Sequence, residues 1–432
     1  MRRSESVKIP ASVDNLLTWL CPEDYYMLQN HSVSRNYYLF LMVFLGLLSA
    51  FGPFITDMYL PTLPAMADIF QTTASKVQVG LTTSLIGLAL GQIIFGPLSD
   101  KYGRKPIIVG SLLLFSISTV GSVYSQSIDF FNICRFFQGL GGAGGVVISR
   151  SVATDCYSGR ELAKTMAIIA GINSVAPVIA PVTGGLVAAA VGWQGIFWTL
   201  FGIGVVLIIM TYPFEESLTP ENRQTVKLIK LFNSFPALMK KKEFVRLVIV
   251  FVFIYGVLFA YISSSSFIIQ DYYGLSELWF SLIFAINAVA MGTGSAAVLK
   301  FRNLSVASSA GCIGVLLVSV FQLIFYFLFD SILIYEGLTF LMAILLGILF
   351  TSVSTRAMES GRAYIGSASA ILGASGYMFG GIVSPLVGIG NIMVTTFIIM
   401  LICSLLACIL SFLDLKVLTG EMGRRALKFN ND

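Results

Sequence analysis

Twelve stretches of about twenty or more mostly apolar residues follow one another along this chain of 432 residues. A helix that crosses the ~30 Å hydrocarbon core of a bilayer needs about 20 such residues. The composition agrees, since 56% of the residues are hydrophobic and only 11% are charged, whereas a soluble domain carries roughly 25% charged residues. The sequence therefore predicts an all-α polytopic membrane protein with twelve transmembrane helices.

The predicted spans fall into two groups of six, separated by the longest polar stretch of the chain. The first group comprises residues 38–64, 78–99, 106–126, 129–151, 162–190 and 193–213. The second group comprises residues 244–268, 278–299, 304–328, 332–355, 364–389 and 391–414. This division predicts an N-terminal tail (1–36), a six-helix lobe (37–213), a basic connector (214–243), a second six-helix lobe (244–414) and a C-terminal tail (415–432). Two helical halves of this kind are typical of secondary transporters.

The positive charges predict the orientation in the membrane, because loops rich in Lys and Arg stay in the cytoplasm. With both termini and the connector placed inside, all but two of the 27 Lys and Arg residues lie on the cytoplasmic side. The exceptions are Lys76, in an outer loop, and Arg135, within a span. The outer loops instead hold acidic residues, namely Asp68, Asp129, Asp271, Glu277, Asp330 and Glu336.

Under this map, Asp57 and Arg135 are the two charged residues well inside a span, and such residues mark function by default. Asp57 lies ~10 Å below the outer end of the first span, and Arg135 ~9 Å below the outer end of the fourth, at 1.5 Å per residue. Because both lie in one layer, we expect them to face a shared cavity. Asp57 is then the candidate proton carrier, since surroundings that alternate between wet and dry move a proton on and off a carboxyl group. The alternative is a static ion pair that braces the two spans.

A glycine-containing loop from Gly96 to Pro106 joins the second and third spans. Its Gly, Asp, Gly and paired basic residues recur at the spacing of the signature loop of the major facilitator superfamily, and the chain resembles that family here. The resemblance implies that Gly96, Asp100, Gly103, Arg104 and Lys105 gate the cytoplasmic side as the two lobes alternate. Asp155 joins this gate or contacts water; the sequence leaves both open.

The fourth and fifth spans carry two further motifs. Arg135 to Gly139 resembles a fourth-helix motif whose arginine is linked to proton coupling. The fifth span resembles the motif of drug:proton antiporters, which implies roles for Pro177, Pro181, Gly184 and Gly185. Proline kinks a helix, and glycine lets a neighbouring helix approach closely. A structural kink without any role in antiport stays an alternative.

Three segments narrow the resemblance to the Bcr/CflA drug-resistance transporters: Thr56–Pro61, Tyr261–Ile268 and Phe284–Ala288. The resemblance extends from about residue 38 to 414 and implies a bacterial-type inner membrane protein. It implies that the proton gradient drives transport without a cofactor. The expected partners are a small-molecule substrate, protons and the lipid bilayer, with no nucleic acid, and the expected functional unit is a monomer.

Aromatic side chains with a few hydroxyl and amide groups suit a pocket for amphipathic organic compounds. The candidate cavity residues are Tyr59, Gln138, Tyr255, Tyr261, Ser265 and Asn287. Ordinary packing between helices is the alternative for each of them. Neither a catalytic set nor a metal cluster is predicted, because the single histidine, His31, lies in the N-terminal tail and no nucleophile has a partnered base.

The predicted function is proton-coupled efflux of a small amphipathic organic compound by alternating access. A proton-linked importer, or a dedicated exporter of a metabolite, siderophore or amino acid, uses the same fold and stays open. A transporter-like membrane receptor or scaffold is the second alternative. The sequence reports neither the substrate nor the proton stoichiometry.

Overall fold

The computed structural model describes residues 35–157, 159–218, 223, 234–301, 303–329, 331–361 and 365–429. Nearly all of the predicted N-terminal tail, with His31, and residues 219–222 and 224–233 of the basic connector lie outside the described residues. The chain divides into two compact units, Met1–Phe44 and Leu45–Asp432. In the first unit the beginning of a helix is described, and Phe40 stacks on Phe44 with ring centroids 5.8 Å apart. The second unit contains the features discussed below.

Twelve long helices, and no strand, occur in the described part of the chain. They are α1 (Arg35–Asp57), α2 (Ala74–Tyr102), α3 (Arg104–Val123), α4 (Ile128–Cys156), α5 (Gly159–Val191), α6 (Trp193–Met210), α7 (Lys242–Phe267), α8 (Glu277–Ala297), α9 (Leu304–Phe329), α10 (Ile332–Ser360), α11 (Ile365–Leu386) and α12 (Ile392–Phe429). The predicted all-α architecture is confirmed.

Among the described residues, eleven helices are long and apolar enough to cross a membrane, and α4 is the twelfth long helix. α4 is less apolar because it is rich in glycine and carries Arg135 and Arg150. Its glycines lie against protein backbone: Gly139 faces the Ser84 carbonyl of α2, and Gly141 faces the Ser111 carbonyl of α3, with no room for a Cβ atom. The glycines of α4 therefore reflect its close packing against α2 and α3.

α1 ends at Asp57, about seven residues earlier than the predicted span. The cause is Pro61, which has no N–H to donate to the Asp57 carbonyl and whose ring would collide with that carbonyl in a continuous helix. The chain goes on through a 3-10 turn, Leu60–Thr62, into a short helix, Leu63–Ile69. The predicted first span, 38–64, lies within one apolar segment of membrane-spanning length, Asn36–Ile69. The α-helix is interrupted within that segment, and Asp57 lies at the end of its first part.

The lobes α1–α6 and α7–α12 meet where α2 packs on α11 and α5 packs on α8. Pro385 leaves the Gly381 carbonyl of α11 without its helical donor, and Thr82 of α2 donates to that carbonyl at 2.8 Å. Gln78, also in α2, donates to the Ser263 carbonyl of α7 at 3.0 Å. These hydrogen bonds join the two lobes near the ends of α2 and α7 that lie beside the outer loops of the predicted topology.

Candidate functional site

A cavity of about 140 Å³ lies between the two lobes. The first lobe contributes Pro53, Thr56, Asp57 and Pro177. The second lobe contributes the larger part of the wall, namely Tyr255, Leu258, Phe259, Tyr261, Ile262, Phe284, Asn287, Ala288, Met291, Gln322, Thr339, Met342, Ala343, Leu346, Tyr377 and Met400. An apolar cavity of roughly 150 Å³ holds a molecule of the size of benzene. In this conformation the cavity therefore has room for one small aromatic group.

Asp57 brings a carboxyl group to this cavity from the end of α1, and the residue is only 5% exposed. The Thr56 hydroxyl donates to Asp57 Oδ1 at 2.7 Å. Within the described part of the chain, no Lys or Arg lies within ion-pair distance of Asp57. A carboxyl group that faces a cavity without a permanent counterion has the features that a proton-binding site requires.

Arg135, in contrast, is sealed inside the first lobe with no exposed surface. Its guanidinium donates to the Ile55 carbonyl of α1 at 2.8 Å and to the Ser84 hydroxyl of α2 at 3.2 Å. It also donates to Gln138 Oε1, one turn along α4. The guanidinium lies over the Tyr59 ring, 4.1 Å from the ring centroid, at a distance that suits a cation–π interaction. Arg135 therefore ties α1, α2 and α4 together.

This arrangement corrects two sequence-based expectations. Arg135 and Asp57 do not form an ion pair, because the arginine binds the backbone of α1 instead. The two residues also do not share the cavity, since only Asp57 is among the described residues that line it. The sequence predicted that the two residues lie at a similar depth in the membrane, and depth alone does not determine the direction of a side chain.

Three of the six candidate cavity residues, Tyr255, Tyr261 and Asn287, line the cavity. The other three candidates, Tyr59, Gln138 and Ser265, do not. The turn after Asp57 directs Tyr59 into the first lobe, where its ring lies under Arg135. Gln138 is fully buried between α3 and α4. The buried Ser265 hydroxyl donates to its own helix.

Sequence reasoning placed Glu336 in an outer loop and so missed it as a site residue. It lies inside α10, and its carboxylate Oε2 accepts a hydrogen bond from Asn287 Nδ2 at 3.1 Å. The same amide nitrogen donates to the Tyr261 hydroxyl at 3.1 Å. Glu336 therefore lies one hydrogen bond behind Asn287 and two behind Tyr261, both of which line the cavity. The available signal was its position within the predicted span 332–355.

At the opposite end of the first lobe, Arg104 binds two carboxylates. It pairs with Asp100 at 2.5 Å and with Asp155 of α4 through bonds of 2.8 and 3.1 Å. Gly103 makes the turn between α2 and α3 with φ +102°, a backbone conformation that favours glycine. The motif loop, with Gly96 in the last part of α2, thus contacts α4 within its own lobe.

The same loop is attached to the chain that follows α6. The Glu216 carboxylate accepts from the backbone N–H groups of Arg104 and Lys105, at 2.8 and 3.0 Å, and so caps the beginning of α3. Lys105 Nζ in turn donates to the carbonyls of Tyr212 and Phe214 just after α6, at 2.9 and 2.7 Å. The sequence offered no local signal for Glu216, because its partners lie more than a hundred residues away.

The residues of the α5 motif contact the cavity, the end of α1 and α8 of the second lobe. Pro177 lines the cavity, and both Pro177 and Pro181 lie within the helix. Gly184 faces the Met58 carbonyl just after α1, and Gly185 faces the Ser281 hydroxyl of α8, each with no room for a Cβ atom. These glycines allow α5 to approach the broken end of α1 and the second lobe.

The sequence model of the Major Facilitator Superfamily matches residues 39–385. The chain belongs to this family. The uncharacterized MFS-type transporter YdgK of Bacillus subtilis (strain 168) is 35% identical over 370 residues, which are 84% of this chain and 91% of that protein. A bicyclomycin resistance protein homolog of Haemophilus influenzae is 31% identical over 258 residues, or 60% of this chain and 65% of that protein.

The fold of this major facilitator protein is also found in solved structures. A bacterial homolog of the human lysosomal transporter Spinster, in an inward-facing and occupied conformation, superimposes with a TM-score of 0.71. The two are 17% identical, and the match covers 88% of this chain and 98% of the other. Together with the family and the relatives, this confirms the predicted fold and the resemblance to drug-resistance transporters. The protein is a multi-pass membrane transporter of a small molecule and not an enzyme.

Proposed function

We propose that this protein exports a small amphipathic organic compound in exchange for protons. The observation that carries the proposal is Asp57, a buried carboxyl group in a mostly apolar cavity between two lobes, with no Lys or Arg of the described residues within ion-pair distance. A carboxyl group that binds and releases a proton as the lobes alternate couples transport to the proton gradient. Each elementary charge that crosses the membrane is worth roughly 2.3 kcal/mol per 100 mV. The bicyclomycin resistance homolog supports an organic substrate.

Alternating access requires that the lobes separate at one end while they hold together at the other. The hydrogen bonds of Gln78 and Thr82 join the lobes at one end. Gln270, just after α7, adds a bond of 2.8 Å to the Pro61 carbonyl at the same end. At the opposite end, the described polar partners of Arg104 all belong to the first lobe and its connector. With the termini inside, this conformation has its outer side closed.

Arg135 then acts as a positioning residue. It holds the last turn of α1 through the Ile55 carbonyl, two residues before Asp57. The break at Asp57, which Pro61 causes, leaves this end of α1 dependent on side-chain contacts for its position. A fixed α1 end keeps the carboxyl group aimed at the cavity while the lobes move.

The test is the Asp57→Asn variant in proteoliposomes that carry an imposed proton gradient. Ethidium and chloramphenicol serve as a cationic and a neutral probe. We expect proteoliposomes with wild-type protein to accumulate at least one probe with accompanying proton flux. In Asp57→Asn we expect that proton flux to fall at least about tenfold, since the amide cannot carry a proton. Asp68→Asn, in the short helix beyond the α1 break, is the control and should behave as wild type.

Two outcomes would contradict the proposal. Wild-type coupled flux in Asp57→Asn would exclude this residue as the proton carrier. Probe movement by wild-type protein that ignores the gradient would exclude proton coupling altogether.

A further inference from the structure

The Glu336 carboxylate is poorly satisfied for a group in the interior of a helical bundle. Its Oε2 atom accepts one hydrogen bond, from Asn287, whereas its buried Oε1 atom has no hydrogen-bond partner. An ionised carboxylate can accept about four hydrogen bonds, and an unsatisfied buried acceptor is costly. Such a group marks a binding function unless a structural role accounts for it.

Capping of α10 does not account for it. The free backbone N–H groups of a helix lie in its first four residues, and Glu336 is the fifth residue of a helix that begins at Ile332. Its described hydrogen bond goes to Asn287 of α8 rather than to the backbone of α10. The side chain therefore points across the second lobe toward the cavity wall.

Asn287 links this carboxylate to the cavity, because it binds Glu336 and also lines the cavity wall. The carboxylate needs a donor, so the amide N–H₂ group of Asn287 faces Glu336 and the Tyr261 hydroxyl. The amide oxygen is then the part of Asn287 that is free to accept a hydrogen bond. Asn287 and Tyr261 both line the cavity, so this corner of the wall offers oxygen atoms with a negative charge directly behind them.

The surrounding wall suits a positive charge as well. The Tyr261 and Phe284 rings stack with centroids 5.5 Å apart and planes at 12°, and the faces of aromatic rings attract cations. Tyr255 and Phe259 form a second stacked pair on the same helix, α7. Among the described residues that line the cavity, no Lys or Arg is present to compensate Asp57 and Glu336.

We infer that the corner formed by Asn287, Tyr261 and Glu336 binds the cationic centre of an amphipathic aromatic substrate. This inference rests on the proposed function and names the substrate class and a specificity residue of the same cavity. Asp57 in the first lobe exchanges the proton, while Glu336 in the second lobe selects positively charged compounds. The two carboxyl groups thus have separate tasks on opposite walls.

The test measures equilibrium binding by purified full-length protein in nanodiscs. Tetraphenylphosphonium is the cationic probe, because its charge is permanent, and chloramphenicol is the neutral probe. In Glu336→Gln we expect the Kd for tetraphenylphosphonium to rise about tenfold or more and the Kd for chloramphenicol to stay within about twofold, since only the charge behind Asn287 is removed. Glu336→Asp should restore part of the affinity for the cation.

The matched control is Glu277→Gln, which removes a carboxylate from the beginning of α8 in the same lobe and leaves the cavity wall intact. It should change neither Kd. Equal weakening of both probes in Glu336→Gln would indicate a structural role and overturn the inference, as would wild-type protein that binds no tetraphenylphosphonium. Selective loss of cation binding without any proton-coupled transport by wild-type protein would instead support the cation site and contradict the proposed function.

Discussion

Each lobe contains a polar cluster with one charged residue. The charge is enclosed by protein in the first lobe and lies behind the cavity wall in the second. In the first lobe, Gln138 of α4 donates to the Thr119 hydroxyl of α3 at 2.8 Å. Arg135 lies three residues before Gln138 on the same helix and binds it. Its guanidinium is enclosed by hydrogen-bond acceptors and by the Tyr59 ring. Arg135, Gln138 and Thr119 are fully buried within the first lobe.

In the second lobe, Gln322 of α9 donates to the Thr339 hydroxyl of α10 at 3.2 Å. Glu336 lies three residues before Thr339, as Arg135 lies three residues before Gln138. Here the charge is negative, the carboxylate has one donor, and both Gln322 and Thr339 line the cavity. This cluster is open to a ligand.

The difference between the two clusters shows how one helical architecture can use a buried charge either to stabilise a lobe or to bind a ligand. Both clusters link the third and fourth helices of their lobe by a glutamine–threonine bond, one turn from a charged residue. Both Nη atoms of Arg135 have protein acceptors and its Nε has none, so most of the cost of desolvating this charge is offset. Arg135 is also not among the described residues that line the cavity. A charge whose partners are incomplete leaves an interaction for a ligand to supply.

Replacement of the Arg135 guanidinium should have the largest effect. In Arg135→Lys, a single ammonium cannot reproduce the planar guanidinium that contacts Ile55, Ser84 and Gln138 and stacks on Tyr59. We expect a loss of about 3 kcal/mol or more in stability, seen as a lower Tm in detergent and a poor yield of monodisperse protein. Glu336→Gln should stay within about 1 kcal/mol of wild type. A stable Arg135→Lys protein that no longer transports would show that Arg135 acts in transport rather than as an anchor.

The two glutamines provide a matched pair with a smaller expected difference. Gln138→Leu removes a partner of both Arg135 and Thr119 and should cost roughly 1–3 kcal/mol. Gln322→Leu should cost less than about 1 kcal/mol, because Gln322 Oε1 already lacks a partner and Thr339 keeps its bond to the Tyr335 carbonyl. Thermal unfolding of both variants in one detergent measures the difference. Equal costs would mean that the two clusters are equally structural.

The loops after the second helix of each lobe give the smallest contrast. The first-lobe loop is capped from a distance by Glu216, whereas Asn303 caps the beginning of α9 locally, through Ser305 N at 2.8 Å. Glu216→Ala and Asn303→Ala should each cost about 1 kcal/mol, as lost caps do. Only Glu216→Ala should also speed proteolysis of the connector, because it detaches that segment from α3. Identical proteolysis of both variants would argue against this attachment.

Much of the fold was predictable because the relevant physics is local. A run of apolar residues must cross the bilayer as a helix, since its backbone groups find no water there. Eleven of the twelve predicted spans therefore correspond to α2–α12 and begin within about four residues of them, although α12 continues past the predicted end at 414 to Phe429. The remaining predicted span corresponds to α1, which ends earlier than predicted, at Asp57. There the signal was also local: Pro61 lies four residues after Asp57 and breaks the helix.

The site was less predictable, because the direction of a side chain depends on the rotation and packing of its helix. Depth in the membrane identified Asp57 and Arg135 as buried, yet only the structure separates the cavity residue from the sealed one. Tyr59 and Gln138 were candidate cavity residues, but both contact Arg135 instead. Glu336 was overlooked because charges near a span end are usually solvated.

The sequence by itself determined the class of this protein: twelve helices in two lobes, a glycine-containing loop after the second helix and a carboxyl group within the first span. These follow from hydropathy, backbone chemistry and residue spacing. The tertiary structure alone decided which buried charges are satisfied, because partners such as Ile55 for Arg135 and Asn287 for Glu336 come from distant helices. Their contacts form only when the lobes are packed.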